Sequence, residues 1–323
     1  MADQEKSTPA LNWKNYGNLL FYILNCVVTF GLGNFGWFGA ATNTELSEKY
    51  QTIVTPAGTA FSIWGIIFVF QAIFVVYQLL PSVRGKPMVQ EGVSYWYILT
   101  CLFQCAWTPL FGFEYITLAL IAITLIWLSL VALNYQQYYV KDAEKTLLEF
   151  WLLRFPFQVH CGWLTCASVL NVNVLAVKLD LNAEYLLPIA IISLAYLHAV
   201  SVWVLFGFPK PNYTIAGVIT WANWWIFNEL REPKDLIKET FPELVITSVS
   251  YAALAVSIIV LSQAVVRIVL LFAGNSCAVN RAIALESGDE ETAAKNDSAS
   301  KDVEKGVTLS SEEEPEAFDE KSV

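Results

Sequence analysis

Residues 115–139 read YITLALIAITLIWLSLVALNYQQYY, and none of these residues is charged. About 20 predominantly apolar residues are enough for a helix to cross the hydrocarbon core of a bilayer. Seven further predominantly apolar stretches lie at 17–40, 57–80, 94–112, 148–177, 185–207, 214–230 and 243–273. The chain therefore reads as an all-α membrane protein with about eight transmembrane helices. The first stretch follows 16 polar residues and lacks a small-residue cleavage site after a short apolar core, so it is expected to be a retained helix rather than a signal peptide.

Composition agrees. Of 323 residues, 56% are hydrophobic and 15% charged, against about 25% charged in a typical soluble domain. The charge is unevenly placed. Residues 286–323 carry 13 acidic residues and four lysines, so they hold nearly all of the formal net charge of −10. The low isoelectric point belongs to this tail and is not a sign of a basic partner, and no nucleic-acid partner is expected. The tail has almost no large apolar side chains and is expected to be disordered, because it cannot bury enough surface to offset chain entropy. Lys and Arg counted by alternating loops favour both termini in the cytosol, with nine residues on that side against five.

Punctuation marks the helix ends. Gly33, Gly36 and Gly39 are three residues apart and suggest a bare ridge at the end of the first helix, where another helix could pack closely. Residues 41–56 form a polar segment long enough to cover a pocket mouth. Thr55 and Pro56 are expected to cap and start the second helix. Pro156 is expected to kink the fifth near its start.

Polar residues inside apolar helices are costly and usually face a bundle interior. Three helices carry such residues on aromatic stripes at helical spacing. The second has Phe61, Trp64, Phe68 and Gln71; the third has Gln104, Trp107 and Phe111; the fifth has Pro156, His160, Trp163, Ala167 and Asn171. Facing one another, they would enclose a cavity suited to a flat apolar ligand. The competing interpretation is interhelical packing with hydrogen-bonded polar side chains. Cys101 and Cys105 lie one turn apart with no further ligand near them in sequence, so no metal site is read. No Walker loop, zinc motif or nucleophile elbow occurs, and no catalytic residue or required cofactor is assigned.

Three segments carry a resemblance. They are Thr55-Pro56-Ala57-Gly58-Thr59-Ala60-Phe61-Ser62-Ile63-Trp64-Gly65, Ala106-Trp107-Thr108-Pro109-Leu110-Phe111-Gly112, and Trp163-Leu164-Thr165-Cys166-Ala167-Ser168-Val169-Leu170-Asn171. In order and spacing they resemble helix motifs of the TspO/translocator-protein family, the tryptophan-rich sensory proteins. The run Arg154–Trp163 looks more like a longer branch of that family with extra C-terminal helices. The resemblance implies a five-helix bundle that binds tetrapyrroles and, in some members, sterols, often as a homodimer. Carried over by motif, the pocket would be lined by Trp64, Trp107, Pro109, Trp163, Ala167 and Asn171. Gln104 stands where the family usually has Asn. Val172 replaces the aromatic residue of sterol-binding members, which ranks porphyrin-like ligands first.

The resulting expectation has four parts: a cytosolic segment 1–16, a five-helix domain 17–178, a three-helix extension 179–274 and an acidic tail 275–323. The protein would bind a hydrophobic planar ligand within the bilayer for transport, sequestration or sensing. The ligand site would comprise the motif residues together with Gln104 and His160. A small-solute secondary transporter and a tetrapyrrole-degrading enzyme are the alternatives.

Overall fold

The computed structural model describes residues 9–141, 143 and 146–287, and every regular element among them is helical. Met1–Ser262 forms one compact unit and Gln263–Val323 a second. Helix α1 (Trp13–Val28) opens on a capping box in which the Asn12 side chain accepts from the N–H groups of Lys14 and Asn15. It ends in a wider π-turn, Thr29–Asn34. A short helix α2 (Asn43–Lys49) follows. Then come α3 (Ile63–Tyr77), α4 (Trp96–Gly112) and α5 (Ile116–Tyr139). A single turn α6 (Leu147–Glu149) and the π-turn Phe150–Arg154 lead into α7 (Phe155–Lys178). The chain continues as α8 (Ala183–Phe206), α9 (Tyr213–Arg231), the short α10 (Asp235–Thr240) and α11 (Glu243–Ser287).

Among the described residues, six helical segments are long and apolar enough to cross a bilayer: Trp13–Asn34, Gly58–Tyr77, Ile116–Tyr139, Leu147–Lys178, Ala183–Phe206 and Glu243–Gly274. The other two stretches expected from sequence are α4, with 17 residues, and α9, with 19. At 1.5 Å per residue they extend roughly 26 and 28 Å. Loop contacts show that both run the length of the bundle. At one end, Lys14 Nζ donates to the Gln90 carbonyl at 2.6 Å, and the Lys210 N–H donates to the Tyr138 hydroxyl at 3.4 Å. At the other end, Lys49 meets Glu114 at 2.6 Å, Gln51 Nε2 donates to Glu229 at 2.9 Å and Lys178 Nζ donates to the Tyr50 hydroxyl at 2.9 Å. Helix α4 connects the Gln90 end to the Glu114 end. Helix α9 connects the Lys210 end to the Glu229 end.

Lipid tails are as apolar as leucine, so helices in a bilayer associate through close packing and hydrogen bonds. Both are present. Trp163 and Leu164 of α7 share a buried core with Ile215, Val218, Ile219 and Ala222 of α9. The helices after residue 179 are therefore continuous in packing with those before it. Ser257 Oγ donates to the Thr220 carbonyl at 3.1 Å, tying α11 to α9. A second cluster stacks Phe74, Tyr97 and Phe157 edge-to-face, with ring centres 4.8–5.6 Å apart.

Three local expectations are corrected. The glycines after α1 do not form a helix-packing ridge. The helix ends at Asn34, and Gly36 and Gly39 adopt positive φ values of 62° and 79° that reverse the chain. Thr55 does not cap α3, because its hydroxyl accepts from the Thr52 N–H at 2.9 Å; a 3₁₀ turn, Gly58–Ser62, precedes α3 instead. Pro156 lies in the first turn of α7, where its missing N–H has no helical partner to lose, and the break falls in the π-turn before it.

In the second unit, Val265, Val266, Val269 and Phe272 of α11 are exposed. The helix runs on to Ser287, into the stretch assigned to the tail. Residues 288–323, on which the expectation of disorder mainly rests, lie outside the described residues.

Candidate ligand-binding cavity

Three apolar stripes converge because each puts its aromatic and polar residues on the helix face that meets the others. Phe61 and Trp163 meet edge-on at 5.5 Å, and Trp64 and Trp163 at 6.4 Å. Trp107 stacks on Phe111 at 5.0 Å. Between these walls lies a cavity of about 460 Å³, within the range typical of small-molecule sites. Trp64, Gln104, Trp107, Trp163, Ala167 and Asn171 all line it. Ile123 and Ile126 of α5 contribute apolar wall, and Phe30 and Gly33 close the side along α1.

Two residues singled out from sequence stand elsewhere. Pro109 is within α4 and is not among the lining residues. His160 is 1% exposed and sits behind Trp64, ring centres 5.6 Å apart. Its Nδ1 is 2.9 Å from Gln71 Nε2, and Gln71 Oε1 accepts from the Tyr97 hydroxyl at 3.2 Å. His160 thus belongs to a buried polar chain that backs the cavity wall.

Polar residues gather at the mouth of the cavity, among them Thr42, Asn43, Thr44, Ser47 and Glu48, and Asn171 adds an amide on the α7 wall. Trp107 Nε1 donates to Asn171 Oδ1 at 3.3 Å, and Asn171 Nδ2 donates to the Ala167 carbonyl at 2.9 Å. Trp163 Nε1 and Gln104 Oε1 have no partner among the described residues, although their side chains are 2% and 1% exposed. Both atoms are themselves buried within the wall and are not presented to the cavity.

Residues from the polar segment 41–56 do line the mouth, but the helix within that segment was not expected. Thr42-Asn43-Thr44-Glu45 is a capping box: Thr42 Oγ1 accepts from the Glu45 N–H at 3.2 Å, and Glu45 Oε2 accepts from the Thr42 N–H at 2.7 Å. That pattern signals a helix start, and it nucleates α2. Thr42, Asn43, Ser47 and Glu48 then line the mouth as a lid. Lys234 also reaches the rim from the segment before α10, a placement no local signal announces.

A knot around Glu114 holds the far end of the lid. Lys49 Nζ donates to both carboxylate oxygens at 2.6 and 2.7 Å, the Tyr50 hydroxyl donates to one of them, and Lys178 Nζ reaches the same oxygen at 3.4 Å. The Lys49 ammonium, and next the Tyr50 hydroxyl, hold the Glu114 carboxyl down at about 2, from an ordinary value of 4.5. A depressed carboxyl supports closure above its ordinary value and loses that support as the pH falls through about 2. Lid behaviour is therefore expected to be flat from pH 5 to 8. Glu114→Gln keeps the shape and removes the charge. It is expected to speed ligand release by roughly three- to tenfold, since several exposed pairs converge on one group. Stopped-flow release of a bound fluorescent ligand checks both expectations.

A bundle of membrane-crossing helices around an aromatic cavity, closed at one end by a tethered lid, defines an integral multi-pass membrane protein of small-molecule-site architecture. A family model described as TSPO-like protein matches residues 15–266. The chain belongs to the TSPO-like family, and the match extends through α8, α9 and the first turns of α11 as well as the first five spans. No curated protein and no solved structure matches the chain.

Proposed function

We infer that this protein binds a flat, hydrophobic, tetrapyrrole-type ligand in the cavity, ahead of sterols, and uses that binding in transport, sequestration or sensing. The observation that carries the reading is the cavity of about 460 Å³ walled by Trp64, Trp107 and Trp163. Aromatic walls favour stacking on a flat π-system. Polar residues at the mouth, among them Asn43, Ser47 and Glu48, give the site one polar end that can fix orientation. Binding requires no covalent step. With both termini in the cytosol, as the loop charges favour, the lidded mouth opens on the opposite side of the membrane.

Titration of the detergent-purified chain with protoporphyrin IX, followed by tryptophan quenching, tests the reading. Saturable quenching is expected. Trp163→Phe removes part of the stacking area and should weaken binding by roughly three- to tenfold, about the value of one aromatic contact. Quenching that never saturates, and that Trp107→Phe and Trp163→Phe leave unchanged, would sink it.

A further inference from the structure

A second cavity, of about 180 Å³, lies on the other side of residues 51–53, the irregular segment that leads from the lid toward α3. Tyr50 and Thr55 line the first cavity; Gln51, Thr52 and Ile53 line the second. Its body is apolar, with Val177, Leu186, Ile237 and Phe241 among the walls. With water occupying about 30 Å³ in the liquid, the space holds roughly six water-sized groups.

Its polar equipment is one-sided. Asn173 Nδ2 is committed to the Val169 carbonyl and Ser193 Oγ, both at 2.8 Å, which leaves its carbonyl oxygen as an acceptor. Gln51 Nε2 is committed to Glu229 at 2.9 Å, which likewise leaves Oε1. Both side chains belong to buried residues, 3% and 2% exposed. Asp180 adds a carboxylate at the rim and has no ion-pair partner among the described residues. No lysine, arginine or histidine lines the space.

The position of Asp180 is unusual for an acid. It follows the C-terminus of α7 with φ 51°. Its N–H donates to the Val177 carbonyl at 3.0 Å, and the Leu181 N–H donates to the Ala176 carbonyl at 3.2 Å. Glycine or asparagine normally fills that place. A carboxylate there also opposes the partial negative charge of the helix end. Acid, helix end and two side-chain carbonyls together make an apolar pocket with a negative rim.

We propose that this pocket is a binding site for a small organic ammonium: a compact apolar body seated against Val177 and Ile237, with its charged head at Asp180, Gln51 and Asn173. A free primary amine and the headgroup of an ethanolamine lipid share this chemistry. Because residues 51–53 form one wall, an occupant braces the segment that carries the lid.

The test is calorimetric titration of the full-length protein in detergent with cyclohexylammonium chloride, and separately with cyclohexanol, its neutral counterpart. No porphyrin is present, so the result is independent of the proposed function of the first cavity. Saturable cyclohexylammonium binding is expected, at least tenfold tighter than cyclohexanol and weaker at high salt. Asp180→Asn should lose at least tenfold. Asparagine tolerates the left-handed backbone, so the variant keeps its helical circular dichroism. Repeating the titration in phosphatidylcholine nanodiscs with and without phosphatidylethanolamine separates the sources. Competition by the lipid assigns the site to a headgroup, and its absence assigns it to free amines. Equal affinity for the amine and the alcohol, an unchanged affinity in Asp180→Asn, or no saturable binding overturns the proposal.

Discussion

Gly162→Leu is expected to separate α9 from α7 and lower the melting temperature in detergent by more than about 5 °C. A Cβ at residue 162 would lie 2.8 Å from Val218 Cβ and 3.2 Å from Ile215 Cα. The second contact is backbone, so no rotamer change relieves it. Overpacking in a tight core costs about 1–3 kcal/mol, and a helix forced off its neighbour should exceed that range. In lipid the loss is not recovered by apolar burial elsewhere, because close packing is itself the source of association. The cavity should fail with the seam, since Trp163 and Leu164 share the core that Ile215, Val218 and Ala222 complete. Gly217→Leu is the control on the other side of the seam: on α9, a Cβ there meets nothing within 4 Å. Melting of Gly162→Leu at the Gly217→Leu temperature would contradict the packing described here.

Much of this was legible in the sequence, for physical reasons. Charge-free runs such as residues 115–139 force a membrane helix, and polar residues on aromatic stripes point inward because lipid penalises them. Trp64, Trp107 and Trp163 share a cavity as those stripes imply. The same logic does not separate the inner wall from the layer behind it. His160 and Trp163 lie on one face of α7, yet one turn of helix is enough to move His160 behind Trp64, where Gln71 holds it. Glycine spacing misled at Gly36 and Gly39, because period-three spacing describes a ridge only while the helix continues. The lid was readable in its Thr42–Glu45 box and was passed over as loop. The roles of Lys234 and α9 depend on contacts made across more than fifty residues, which no local pattern encodes.

The second large effect concerns the cavity itself. Ala167 is a small residue on its wall, one turn from both Trp163 and Asn171. Ala167→Trp puts an indole into the space a ligand would occupy. The cavity is empty enough to accept it, so the fold should survive where Gly162→Leu does not. Protoporphyrin affinity should fall by at least a hundredfold, about 2.7 kcal/mol or more, since a filled pocket cannot accept a second ring system. Loss of stacking alone, as in Trp163→Phe, is expected to be far milder.

The cavity as ligand site is tested most directly by titrating wild type and Ala167→Trp with protoporphyrin IX side by side, at equal helical circular dichroism. Saturable, near-stoichiometric quenching in the wild type and its loss in the folded variant is the predicted result. Quenching that saturates with the same affinity in both would contradict it.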